Sequence, residues 1–311
     1  MKKYKICKIL LVILAIFLCV AFYELLGICV AYKKQPEVSN TTKKETKNGS
    51  WNECSENTER AVIIEKNPEA LLQRVRLIKN AKKEIILSTF AFQSDESGKL
   101  ILGALHDAAD RGVHIRLLVD GMESWIDMEG NPYFYGLSSH ENVEIKLYNK
   151  ANPLKPWKMM GRMHDKYLIA DGKRYILGGR NTYNYFLGDF PGHKNYDRDV
   201  LVVCDEPEKE NSVNQLLEYF ETIWEQEDSG YFHDNKKLAN RKSVKNAVLE
   251  LQNGYQKYFE ENKERICDTD YTDETFETEK IALVSNPIHT GSKEPVVWYQ
   301  LGELMKNAKN R

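Results

Sequence analysis

The segment MHDKYLIADGKRYILGGRN, Met163 to Asn181, places a histidine, a lysine and an aspartate within eight residues and follows them with two glycines and an asparagine. In an extended chain alternate side chains share a face, so His164 and Lys166 point the same way, and Leu168 and Ala170 point with them. Two polar groups then close an otherwise apolar face, where leaving them unpaired is costly. A phosphate would satisfy both. A neutral imidazole can attack phosphorus, an ammonium neutralises a non-bridging oxygen, and Gly178 and Gly179 let the backbone and the Asn181 amide approach the same group. The set calls for no metal and no cofactor. Asp171 has two readings, because Asp171-Gly172 is also a two-residue hairpin turn between KYLIA and KRYILGG, which explains the aspartate without chemistry.

The flanking sequence supplies elements that could hold such a site. Asn67-Pro68-Glu69 predicts a helix start, with Leu71, Leu72, Val75 and Ile78 at helical spacing and an end near Lys82. A buried strand is expected over Glu84–Phe92. A helix carrying Leu100, Ile101, Ala104, Leu105 and Ala108 on one face follows and ends before Gly112. VHIRLLVD and VEIKLYN (Val143 to Asn149) read as two more strands. After the central motif come the strand DRDVLVVCD and an amphipathic helix over Glu208–Gln226. Strand, helix, strand with short joints predicts an α/β fold, a mixed sheet flanked by helices.

At the N-terminus Lys2, Lys3, Lys5 and Lys8 precede an apolar run from Ile9 to Tyr32 broken by one charge, Glu24. About 20 apolar residues span a bilayer, and no small-residue cleavage site is evident, so residues 1–34 read as a retained single-pass anchor. The excess of lysines before the run puts the N-terminus in the cytoplasm and the rest outside the cell membrane. Residues 35–60 have the composition of a polar tether, and the folded domain is expected over 61–230. Residues 231–280 read as a charged connecting segment. Residues 281–311 echo the start of the domain: Asn-Pro recurs, LMKNAKN matches LIKNAKK, and an incomplete second repeat is expected with Val297, Leu301, Leu304 and Met305 on its apolar face. The chain has 44 basic and 46 acidic side chains, a formal charge of −2, which disfavours a nucleic-acid partner. Of six cysteines, Cys54, Cys204 and Cys267 lie outside the anchor and show neither disulfide-framework nor zinc spacing.

His164, Lys166 and Asp171 match the H-x-K-x-x-x-x-D motif of the phospholipase D superfamily, and GGRN followed by RDVLV resembles its bacterial cardiolipin synthase branch over about Asn67–Trp224. The resemblance implies that His164 is the nucleophile or its acid/base partner, that Lys166 and Asn181 hold the phosphate, and that Asp171 is a motif residue in a supporting role. Asp199 stands where the family has an acidic residue that orients the histidine. Gly179 replaces a common serine and removes one hydroxyl ligand. The family joins two such motifs in one site, and none of His106, His114, His140, His193, His233 or His289 belongs to a second H-x-K. The expected activity is a membrane-anchored phosphatidyltransferase acting on phosphatidylglycerol through a phosphohistidine, with a second half-site or a homodimer partner completing the site. The alternatives are a phospholipase or nuclease, and an inactive lipid-binding remnant.

Overall fold

The structure is a computed structural model that describes residues 2–31, 33, 35–48, 59–204, 211–233, 235–279 and 281–308. It divides into two compact units, one of Met1–Ser50, Ala151–Arg162 and Val284–Arg311, the other of Trp51–Lys150 and Met163–Leu283. In chain order the first elements are helices α1 (Lys2–Ala31) and α2 (Asn40–Asn48). The larger unit then runs β1 (Glu59–Ile64), α3 (Asn67–Asn80), β2 (Glu84–Thr89), α4 (Glu96–Asp110), β3 (His114–Asp120), α5 (Gly121–Asp127), α6 (Pro132–Ser138) and β4 (Val143–Tyr148). It resumes with β5 (Lys166–Ala170), β6 (Arg174–Gly178), β7 (Asp199–Cys204), α7 (Ser212–Trp224), β8 (Ser229–Tyr231), α8 (Lys242–Glu261), α9 (Lys263–Cys267) and β9 (Phe276–Glu277). Helix α10 (Val296–Asn307) belongs to the smaller unit.

Within the smaller unit, Tyr4–Ala31 of α1 is long and apolar enough to cross a membrane. The 151–162 segment packs on it: Tyr23 donates its hydroxyl to the Leu154 carbonyl at 3.0 Å, and Gly27 lies against the Pro156 ring so closely that a Cβ there would sit 2.4 Å from Cγ. Part of the expected tether is ordered instead. Ser39 caps α2 by accepting the Thr42 N–H, and its own N–H donates to Glu294 at 2.7 Å. Residues 49–58 of that stretch lie outside the described residues. The terminal helix opens at Pro295, eight residues after the Asn286-Pro287 that echoes the start of α3. Of its expected apolar face, Leu301, Leu304 and Met305 are exposed.

Among the described residues the strands of the larger unit form one nine-stranded sheet, ordered β8-β4-β3-β2-β5-β6-β7-β1-β9. Strands β2, β3 and β4 are parallel, and every other neighbouring pair is antiparallel, so the expected mixed sheet is the one observed. Alternation sorts the side chains. Leu168, Ala170 and Ile176 join the core under α3, α4, α6 and α8, whereas Tyr167 and Tyr175 turn to the other face and meet Tyr219 and Ser212 of α7. Strand β1 starts at Glu59, two residues before the expected start of the domain, and that buried carboxylate accepts the N–H and hydroxyl of Ser212 at the start of α7.

The described residues of 231–280 are packed structure, not a connection. Helix α8 buries Val244, Ala247, Leu251, Tyr255 and Phe259, and its backbone reaches Gly103 of α4 so closely that a Cβ at 103 would lie 2.7 Å from the Leu251 carbonyl oxygen. Downstream, Glu274 and the carbonyls of Asp268 and Asp270 bind the fully buried Arg76 of α3, whose guanidinium also stacks on Tyr271. The charge of this segment misled the composition reading, since much of it pairs with side chains far upstream. Gly103→Val should therefore lift α8 off α4 and cost about 1–3 kcal/mol, read as a lower urea midpoint with little change in far-ultraviolet circular dichroism. An unchanged midpoint would show that α8 is dispensable to the domain.

Candidate active site

The sheet order brings all the expected site residues but Asp171 to one end. Strands β2 and β3 finish there, β5 starts there antiparallel to β2 with Lys166 opposite Thr89, β6 finishes there, and β7 starts there with Asp199 opposite Gly178. His164, Lys166, Gly178, Gly179, Asn181 and Asp199 thus converge although 35 positions separate the first from the last. The loop bearing Asn181 is pinned to the end of β2: Thr182 donates its N–H to the Ala91 carbonyl, Gln93 donates to the Thr182 carbonyl, and the Asn181 amide oxygen accepts the Ala91 N–H at 3.2 Å. That occupies the amide oxygen of Asn181 and holds its buried side chain at this end of the sheet.

Lys166 is buried, 6% exposed, on the face expected from alternation. Its ammonium donates to the His164 carbonyl at 2.8 Å and lies 5.3 Å from the centre of the Phe90 ring. The same ring packs on the His164 imidazole, centroids 4.6 Å apart, so Phe90, which the sequence did not single out, separates and orients the two. Burial pulls the Lys166 pKa down to about 8, against the raising effect of the Asp165 and Asp197 carboxylates. The His164 pKa lies below its usual value, through burial first and the Lys166 charge second, with Asp120 pulling the other way. Near neutrality this histidine is a free base beside a cation, the state a nucleophile toward a phosphodiester anion requires.

Two acids in this region were missed. Asp120, at the end of β3 and fully buried, accepts the Met163 N–H at 3.1 Å, the peptide directly before His164, and also takes the N–H groups of Met122 and Glu123 at the start of α5. Asp197 lies against Gly179, where any Cβ would overlap its carboxylate. The glycine pair is explained by these two approaches, since Gly178 is equally tight against Asp199. The only sequence signal for Asp120 was its position at a strand end beside a glycine.

One expected site role is corrected by the geometry, that of Asp199, and for Asp171 the turn and supporting readings are the ones observed. Asp199 does not meet the histidine; it is buried and receives Arg74 at 2.9 Å and Arg180 at 3.3 Å, tying α3 to the GGRN loop, while its second oxygen has no hydrogen-bond partner among the described residues. The carboxylate that acts on His164 electrostatically is Asp120. Asp171 is at the opposite end of β5, about 17 Å along the strand at 3.3 Å per residue. It accepts the N–H groups of Lys82, Lys83 and Glu84 at 2.7–3.1 Å and occupies the left-handed region, φ 54°, as the turn demands. Three residues, Asp171–Lys173, join the strands, one more than the expected two, with Ala170 facing Arg174. Asn67 departs from its expected capping role as well: Lys66 precedes the helix, and the Asn67 side chain instead binds Arg180 and the Asn195 carbonyl.

Residues 74–224 match the family described as cardiolipin synthase, PLD-like domain. That region is a phospholipase D superfamily domain. It is 29% identical over 171 residues to cardiolipin synthase C of Escherichia coli K12, which covers 50% of this chain and 34% of that protein. An uncharacterized protein of Helicobacter pylori J99 is 30% identical over 212 residues, 63% of this chain and 39% of the relative. Among solved structures, phosphatidylserine synthase of Haemophilus influenzae aligns over 71% of this chain and 48% of its own with 18% identity and a TM-score of 0.47. The chain thus spans about two fifths or less of the curated relatives it matches here.

The two charged residues that follow His164 in the motif should respond oppositely to deletion. Asp171→Ala removes three hydrogen bonds to a carboxylate and forces alanine into a left-handed turn, and should cost about 3 kcal/mol in urea unfolding while the folded fraction still hydrolyses a chromogenic phosphodiester. Lys166→Met removes a buried, weakly compensated charge and should stabilise by about 1–3 kcal/mol at pH 7 while abolishing turnover. Equal destabilisation by both would contradict the placement.

Proposed function

We propose that this phospholipase D-type chain is a membrane-anchored phosphatidyltransferase of the cardiolipin synthase kind, with phosphatidylglycerol as donor and a phosphohistidine as intermediate. One observation carries the reading: a histidine with a depressed pKa stands beside a buried lysine at the sheet end that also holds the Asn181 side chain. In the first step the His164 nitrogen forms a bond to phosphorus while the bond to the leaving glycerol oxygen breaks, and that oxygen takes a proton. In the second step an alcohol oxygen attacks phosphorus, gives up its proton, and the nitrogen–phosphorus bond breaks. Lys166 and Asn181 hold the non-bridging oxygens through both. Asp120 holds the chain at Met163, next to His164, and its charge favours the positive charge that develops on the imidazole as the nitrogen–phosphorus bond forms, and Asp171 and Asp199 position strands and loop rather than touch the substrate.

The leaving-group acid comes, in this proposal, from a second half-site: another H-x-K segment or the same segment of a second copy across a two-fold axis. Helix α1 supplies the membrane anchor, with the catalytic unit on the extracytoplasmic side as the lysine distribution favours. A lipid alcohol as acceptor gives transfer; water in its place gives hydrolysis, and the ratio of cardiolipin to phosphatidic acid among the products separates the two.

His164→Asn should lower turnover of phosphatidylglycerol vesicles by about three orders of magnitude or more without shifting the thermal midpoint, because only the attacking nitrogen is lost. Wild-type turnover in the folded variant would remove His164 from the mechanism. The pH dependence has a definite sign. kcat/KM should rise as His164 loses its proton, below the usual histidine value of about 6.5, and fall as Lys166 loses its own near pH 8. Lys166→Arg should move the alkaline limb upward. An alkaline limb unchanged in that variant would mean that some other group titrates there.

A further inference from the structure

Between Glu144 and Asp165 the chain contains no acid but five cations, Lys146, Lys150, Lys155, Lys158 and Arg162, in a protein whose formal charge is −2. Interleaved with them in the 151–162 segment are Leu154, Trp157 and Met160, which are 78%, 44% and 57% exposed. Basic side chains alternating with an exposed tryptophan, leucine and methionine form the composition of a segment that lies in the headgroup layer of an anionic bilayer, where cations meet lipid phosphates and the aromatic ring sits at the boundary of the acyl chains. A segment serving only as a surface loop would have no reason to expose three large apolar side chains among its lysines.

The place where this segment is held agrees with its composition. Its contacts fall on the C-terminal part of α1, at Tyr23 and Gly27. The charges on α1 bracket its hydrocarbon-crossing part between Lys8 and Glu24, so Tyr23 and Gly27 stand at or just beyond the acyl boundary. The last residue of the segment, Arg162, is two residues before His164, and Lys293 fixes the Arg162 carbonyl at 3.1 Å within the same unit. Chain connectivity alone keeps the His164 backbone within about 25 Å of that of Trp157 at full extension, and two residues from the end of the segment.

We propose that residues 151–162 are an interfacial docking element that binds an anionic lipid surface and delivers His164 to phosphodiesters embedded in it. The inference rests on the proposed phosphatidyltransferase function for its substrate, but the docking has its own readout. The full-length protein reconstituted in vesicles of phosphatidylglycerol and phosphatidylcholine is compared with the double variant Lys155→Glu/Lys158→Glu and with Trp157→Phe, none of which alters a group at the reacting atoms. Vesicle turnover in the double variant should fall about tenfold or more, and the dependence on phosphatidylglycerol fraction should flatten, whereas turnover of soluble bis(4-nitrophenyl) phosphate stays within about twofold. Lipids brominated near the headgroup should quench wild-type tryptophan emission, and Trp157→Phe should lose that quenched component. Equal losses on the lipid and the soluble diester, or quenching unchanged in Trp157→Phe, would overturn the docking element. So would binding of a single-stranded oligonucleotide that depends on Lys155 and Lys158 in the absence of lipid quenching. If neither diester is turned over, the phosphatidyltransferase reading fails while the quenching arm still decides for or against docking.

Discussion

Burying an ammonium at the rim of a sheet is the constraint around which the larger unit is organised. Lys166 cannot leave its place, because β5 is paired on both sides and alternation sends Leu168 and Ala170, on the same face, into the core. Its charge is therefore desolvated, its proton loosened, and one hydrogen is spent on the carbonyl of His164. An anion is what that environment lacks, and a phosphodiester supplies it. The cation in turn lowers the proton affinity of the neighbouring imidazole, so the same burial that makes the phosphate site makes the nucleophile.

Beyond its contacts with the His164 carbonyl and the Phe90 ring, Lys166 is held by groups it does not touch. At the far end of β5, Asp171 clamps the joint between α3 and β2, which sets the register that puts Lys166 opposite Thr89. Beside it, the buried Arg74–Asp199–Arg180 cluster ties helix α3 and the start of β7 to the loop that carries Asn181. Removing one member of such a cluster leaves a charge buried without its counterion, which makes it a strong fastener of geometry whatever it contributes to net stability.

The part of this that could be read in the sequence was the part set by local rules. Period-two alternation placed His164 and Lys166 together, the Asp-Gly pair marked the hairpin, and the spacing of apolar residues gave α3, α4, α7 and strands β2 to β7 to within a few residues. What escaped reading depends on partners far along the chain. Asp171 looked like chemistry or a turn because the three N–H groups it binds lie 87 to 89 residues upstream. Asp199 was assigned to the histidine because nothing local revealed Arg74, 125 residues before it. Asp120 passed as a strand end, and residues 231–280 passed as a connection because charge was counted without the buried Arg76 that part of it neutralises. Local propensity carries no information on such pairings.

The central claim is that His164 becomes covalently attached to phosphorus. Incubating the vesicle-bound protein with phosphatidylglycerol, quenching at alkaline pH and mapping the peptides by mass spectrometry tests it directly. The account predicts a phosphatidyl adduct on the peptide containing His164, labile to acid, that disappears when an acceptor alcohol is added. Product formation in steady state with no adduct on that peptide, or an adduct on another residue, would contradict it.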